Sequence, residues 1–193
     1  MGDMTYILAF GLMAPVFALF LRQQIMDASL LGVGLAEASY LLALGLVRPF
    51  VELSCRNDTR GWRTRQFLWF GSVLAVLAPF FYIMARDMVD VYVIQFLFGV
   101  GIAFSEPAWT RVDAATCPVA MQSIWFRFDA FGSLLAAGLA VVGGMVAEAQ
   151  GMPALLFYLG CTLFVAALMM AVAYGRVTPP PRIRRPSDAG QTV

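Results

Sequence analysis

The sequence contains no histidine and no lysine, and all thirteen basic residues are arginine. Without histidine there is no imidazole base, no imidazole metal ligand and no histidine-dependent nucleophile. Cysteine is sparse. Cys55, Cys117 and Cys161 are far apart and form no Cys-x-x-Cys pair, so neither a zinc cluster nor a disulfide framework is expected. Charge is scarce too. Charged residues are 13% of the chain, about half the share of an average soluble domain. A formal net charge of +1 offers no basic surface for an acidic polymer, so no nucleic-acid partner is expected, and no cofactor.

Apolar residues are what the chain has in excess, at 61% with a mean hydropathy of +0.78. They come in long blocks rather than in an amphipathic pattern. A helix of about 20 residues crosses the ~30 Å hydrocarbon core of a bilayer. Residues 4–21, 66–85, 91–105, 130–147 and 149–175 carry no charge, and 28–47 carries only Glu37. Six such blocks in 193 residues are too many to bury in one soluble core. Backbone polar groups in lipid must be satisfied internally, by helices or a closed barrel. The blocks are longer than barrel strands and do not alternate, so helices are predicted. The expected helices cover about 4–22, 30–53, 66–85, 90–112, 122–147 and 153–175, forming one domain over 1–175, with a short loop near Gly151-Met152-Pro153. Residues 176–193 combine Pro179-Pro180-Pro181 with Arg182, Arg184 and Arg185 and read as a disordered cationic tail. The start, Met1-Gly2-Asp3, has no positive region of the signal-peptide kind, so the first block is read as a retained helix.

Arginine placement orients these spans. Ten arginines (56, 60, 63, 65, 111, 127, 176, 182, 184 and 185) fall on the side of both termini, and only Arg22 and Arg86 fall on the other. The positive-inside rule then puts both termini in the cytoplasm of a cell membrane, with a bacterial inner membrane as the expected location.

Ionisable groups inside a span are costly and mark candidate sites. The second span carries Glu37, Arg48 and Glu52. Glu37 and Arg48 are eleven residues apart, about three turns, and share a face with Tyr40, Leu41 and Leu44 nearby. Arg48 and Glu52 stand at i,i+4, the spacing of a direct pair. In the fourth span Gln95, Gly99, Ile102, Glu106 and Asp113 fall on one face. Glu106 precedes Pro107, which removes a backbone donor. A carboxylate there suits a proton or cation site, or else an ion pair with Arg48 or Arg111. The fifth span follows Arg127 and Asp129 with Gly132, Gly138, Gly143 and Gly144, a composition suited to close helix packing in lipid.

The run RPFVELSCRNDTRGWRTR, residues 48–65, resembles the loop between helices 2 and 3 of the major facilitator superfamily, roughly G-x-L-A-D-[RK]-x-G-[RK]-[RK]. Asp58, Gly61 and Arg63 match in spacing, while Ser54, Arg56, Thr59 and Trp62 depart from it. Gln95-Phe96-Leu97-Phe98-Gly99-Val100-Gly101-Ile102-Ala103 is similar to the family's fourth-helix motif R-x-x-x-G-x-G-x-A, with Gln95 in place of the arginine associated with proton coupling. The resemblance implies an all-α membrane fold of six helices, one half of the family's twelve-helix transporter, built as two three-helix repeats.

As the resemblance implies, helices 1, 2, 4 and 5 line a cavity and helices 3 and 6 face lipid. The expected function is a half-size secondary transporter of a small-molecule solute, completed as a homodimer or as a heterodimer with a similar half. Glu37, Arg48, Gln95 and Glu106 are the candidate substrate or coupling residues. Asp58, Gly61 and Arg63 are the candidate cytoplasmic gate. The alternative is a non-transporting assembly or regulatory subunit that keeps the fold. An enzyme is not expected, because rhomboid-type proteolysis requires histidine and no span offers paired aspartates.

Overall fold

A computed structural model describes residues 20–21, 25, 29–58, 61–116 and 137–175, with backbone alone at 112–116, 166 and 169–175. Every regular element among them is helical. We number the helices α1 (Leu30–Arg56), α2 (Trp62–Met84), α3 (Met88–Thr116), α4 (Ala137–Gln150) and α5 (Met152–Gly175). They correspond to the second to sixth expected spans. The first span and the tail lie outside the described residues, apart from helical Phe20 and Leu21, as does 122–136 of the fifth.

Three of the helices, α1, α2 and α3 to Arg111, are long and apolar enough to cross a membrane. At 1.5 Å per residue α1 spans about 40 Å and α2 about 34 Å, both beyond the ~30 Å hydrocarbon thickness. Their surfaces stay apolar. Phe50 is 74% exposed and Leu46 57%. In water such a surface drives aggregation, whereas in lipid it is the solvated state. The chain is thus an all-α protein whose described helices fit a membrane-embedded fold.

Local chemistry sets the helix ends. Ser29 caps α1 by accepting from the Gly32 amide at 3.0 Å. Asp87 accepts from the Asp90 amide at 2.9 Å, and Asp90 reaches back to the Arg86 amide at 3.0 Å, a reciprocal arrangement that satisfies two donors at the start of α3. Between α4 and α5 a single residue, Gly151, turns the chain with φ +85°. Helix α2 begins at Trp62, four residues before the apolar block at 66. An apolar block marks what lies in lipid, and arginines do not end a helix, so Arg63 and Arg65 fall in its first turn.

Helix α3 lies between α1 and α2, which touch each other little, and α5 packs on the far side of α2. Small residues allow the contacts. A Cβ on Gly99 would stand 2.5 Å from the Tyr40 carbonyl oxygen of α1. One on Gly71 of α2 would overlap the Gly101 carbonyl and lie 2.5 Å from the Ser105 nitrogen of α3. Gly160 of α5 sits under the Phe80 ring of α2. Two buried clusters fill the ends. Val51, Cys55, Leu68, Ala108 and Trp109 form one at the arginine-rich end. The larger one, at the opposite end, seats Phe20 edge-on to Tyr82 with ring centroids 6.0 Å apart.

Gly71→Ala is expected to destabilise the fold by about 1–3 kcal/mol through overpacking against the α3 backbone. Gly34→Ala, where nothing lies within 4 Å, is expected to be neutral or stabilising by up to about 1 kcal/mol through helix propensity. Reversible unfolding in mixed detergent micelles checks the contrast.

Candidate functional site

Two polar centres occupy the half of the bundle nearest the arginine-rich end. The deeper one joins α1 to α3. Nη2 of Arg48 lies 3.1 Å from Oε1 of Glu106, and its Nε lies 3.8 Å from Oε1 of Glu52 one turn along α1. Arg48 is eight residues, about 12 Å, from the end of α1. Charged groups at that depth face protein or a water-filled cavity rather than lipid. The Arg48 and Glu106 side chains are 39% and 40% exposed. The close backbone approach at Gly99 seats α3 against the same helix, α1. Both partners precede prolines inside continuous helices, Pro49 in α1 and Pro107 in α3. Each proline withdraws the amide that would bond the carbonyl four residues back, Gly45 or Ala103. Thr110 Oγ1 returns a hydrogen bond to the Glu106 carbonyl at 2.9 Å. The site thus places one interhelical ion pair beside a proline break in the hydrogen bonding of each helix.

Glu37, about 16 Å along α1 from Arg48, is exposed. Tyr40 lies between them and stacks on Phe98 of α3 with centroids 5.7 Å apart. Gln95 is placed differently from the charged candidates. It is only 7% exposed and sits one turn from Gly99, on the packed face of α3. The structure brings Arg48 and Glu106 together, keeps Glu37 on the same helix at a distance, and buries Gln95.

The second centre is the loop between α1 and α2. Oδ1 of Asp58 accepts from the Gly61 amide at 3.0 Å. Its Oδ2 accepts from the Thr64 amide at 2.9 Å and from the Thr64 hydroxyl at 3.0 Å. The carboxylate satisfies amides at the positive end of α2, where negative charge is favoured. Gly61 stands at φ +73°, a conformation that costs other residues about 1–2 kcal/mol. Arg111 of α3 donates from Nη2 to the Asp58 carbonyl and ties the loop to the third helix. Arg63 is exposed and makes no ion pair among the described residues.

Thr64 is a site residue that motif reading passed over, and Arg111, named as an alternative partner for Glu106, bonds the Asp58 carbonyl instead. For Arg111 the signal was available. It is five residues beyond Glu106, about 140° around α3, and so belongs to another face. No group of three potential metal ligands occurs among the described residues. No protein-family model matches the chain, and comparison with curated proteins returns no match.

Asp58→Ala is expected to fray the first turn of α2. Amide hydrogen exchange at Thr64 should accelerate, and stability should fall by roughly 1–2 kcal/mol, as for loss of a strong cap. Unchanged exchange at Thr64 would reject the capping role.

Proposed function

We propose that this chain is one half of a secondary transporter for a small charged or zwitterionic solute, completed by a second copy or a similar half, with Arg48–Glu106 as the contact that opens and closes. The observation that carries the reading is the ion pair itself. It joins two apolar spans, its side chains are partly exposed, and each partner is followed by a proline in its helix. A solute carboxylate would compete with Glu106 for Arg48, and a solute ammonium would compete with Arg48 for Glu106. Either exchange frees α1 from α3 at the point where both backbones are weakest.

The resemblance of residues 48–65 and 95–103 to the major facilitator superfamily points the same way. So does the packing of α3 directly against α1. In that family the equivalents of α1 and α3 line the cavity. Six helices make one wall only, which is why the reading requires a partner half. Both termini on the cytoplasmic side make a parallel two-fold pair feasible. In this reading Asp58, Gly61 and Arg63 form the cytoplasmic gate, with Asp58 and Gly61 shaping the turn and Arg63 facing the partner half.

One observation favours a second reading, a non-transporting assembly or regulatory subunit. Gln95 replaces the family's arginine and is buried in the helix contact instead of lining a cavity.

Two measurements separate the readings. Native mass in a bilayer mimic is expected at twice the 21.1 kDa chain; a strict monomer leaves the pathway without its second wall. In proteoliposomes, uptake from a panel of labelled amino acids is expected to fall at least roughly tenfold in Glu106→Gln, equivalent to about 1.4 kcal/mol. Uptake that survives the substitution unaltered removes Glu106 from the mechanism. No uptake by the dimeric native chain favours the subunit reading.

A further inference from the structure

Much of one face of α2 is left open by the helix packing and lies outside the two polar centres. Trp62, Arg65, Gln66, Trp69, Phe70 and Val73 recur along it at helical spacing and line an open groove of about 580 Å³. The groove is graded along the helix. Its first two turns hold a guanidinium, an amide and two indoles, and its deeper part is Phe70 and Val73, each about half exposed. Helix α2 is long and apolar enough to be a membrane span, so this gradient follows the membrane normal, from interface to hydrocarbon. The Phe70 ring is already held edge-on to Phe104 of α3, with centroids 5.1 Å apart, so part of the groove floor is preformed.

Charge decides the occupant. Arg65 makes no ion pair among the described residues. Asp58 is engaged by Thr64 and Gly61, and Glu52 lies with Arg48. Arg63 adds a second positive charge on the same turn. An apolar helix laid in the groove would bring no anion to Arg65, and a free phosphate would make no use of the apolar part of the groove at Phe70 and Val73. We propose that the groove binds an anionic phospholipid, with its phosphate on Arg65 beside Gln66 and the indoles, and its first acyl carbons along Trp69, Phe70 and Val73. The attraction is that of a juxtamembrane arginine for an acidic leaflet, localised by a groove of lipid shape.

Native mass spectrometry of the detergent-solubilised full chain tests this, with phosphatidylglycerol and phosphatidylcholine of matched acyl chains as probes. Phosphatidylglycerol is expected to be retained in preference. Arg65→Gln should lower that preference roughly fivefold, the effect of one arginine near an anionic surface. Arg65→Lys should keep most of it, which also shows that the site tolerates substitution. Arg56→Gln, at the same end but outside the groove, should lower it less than about twofold. Equal retention of the two lipids overturns the proposal. So does an Arg65→Gln protein that keeps the native preference, or an equal loss in Arg56→Gln. Displacement of the lipid by millimolar inorganic phosphate assigns a bare anion site instead. A shift from dimer to monomer in Trp69→Ala without loss of lipid assigns the face to a second copy of the chain.

Discussion

The described fold depends on how closely the backbone of α3 approaches its two neighbours. Gly99 meets the Tyr40 carbonyl on one side, and Gly101 meets Gly71 on the other. Apolar side chains gain little from leaving lipid for another apolar surface, so association in a bilayer rests on close van der Waals packing. A side chain at any of these glycines would push the helices apart and lose that packing. The approach puts α3 in the middle of the described helices, and this in turn brings Glu106 to Arg48 and Arg111 to the loop after α1.

The two polar centres have opposite physical character. At the loop, Asp58 is 8% exposed and takes three hydrogen bonds at the start of a helix, while Gly61 supplies a backbone shape other residues resist. Such a unit is rigid, and losing the carboxylate leaves buried amides unpaired. Deeper in the bundle, Arg48 and Glu106 form an ion pair across two helices, with side chains 39% and 40% exposed. A tightly bonded turn thus stands beside a more exposed ion pair, each partner of which is followed by a proline in its helix.

The sequence made some of this legible and hid the rest. The apolar blocks beginning near 30, 66 and 90 show the positions of α1, α2 and α3, because the cost of charge in lipid is severe enough to be written into composition. The pairing of Arg48 with Glu52 follows from helical spacing alone. That Arg48 also reaches Glu106 does not, since the two are 58 residues apart on different helices and no local period relates them. The start of α2 was misplaced by four residues for a related reason. Hydropathy reports the boundary with lipid, while a helix begins where its amides find a cap, here Asp58. Gln95 stood on the same stripe as Glu106, but a stripe does not say which part of it is covered, and a neighbouring helix buries that part.

By itself the sequence determined that the chain is helical and apolar enough for a membrane, where its charges concentrate, and which residue types stand at which helical face. These properties depend on composition and on the 3.6-residue period, both local. Only the tertiary structure decided that α3 lies between α1 and α2, that Glu106 belongs to Arg48 and Arg111 to the Asp58 carbonyl, and that one face of α2 is left as a groove. Each of these turns on which glycine admits which neighbouring backbone. That is a matter of shape between distant segments, to which no local pattern is sensitive.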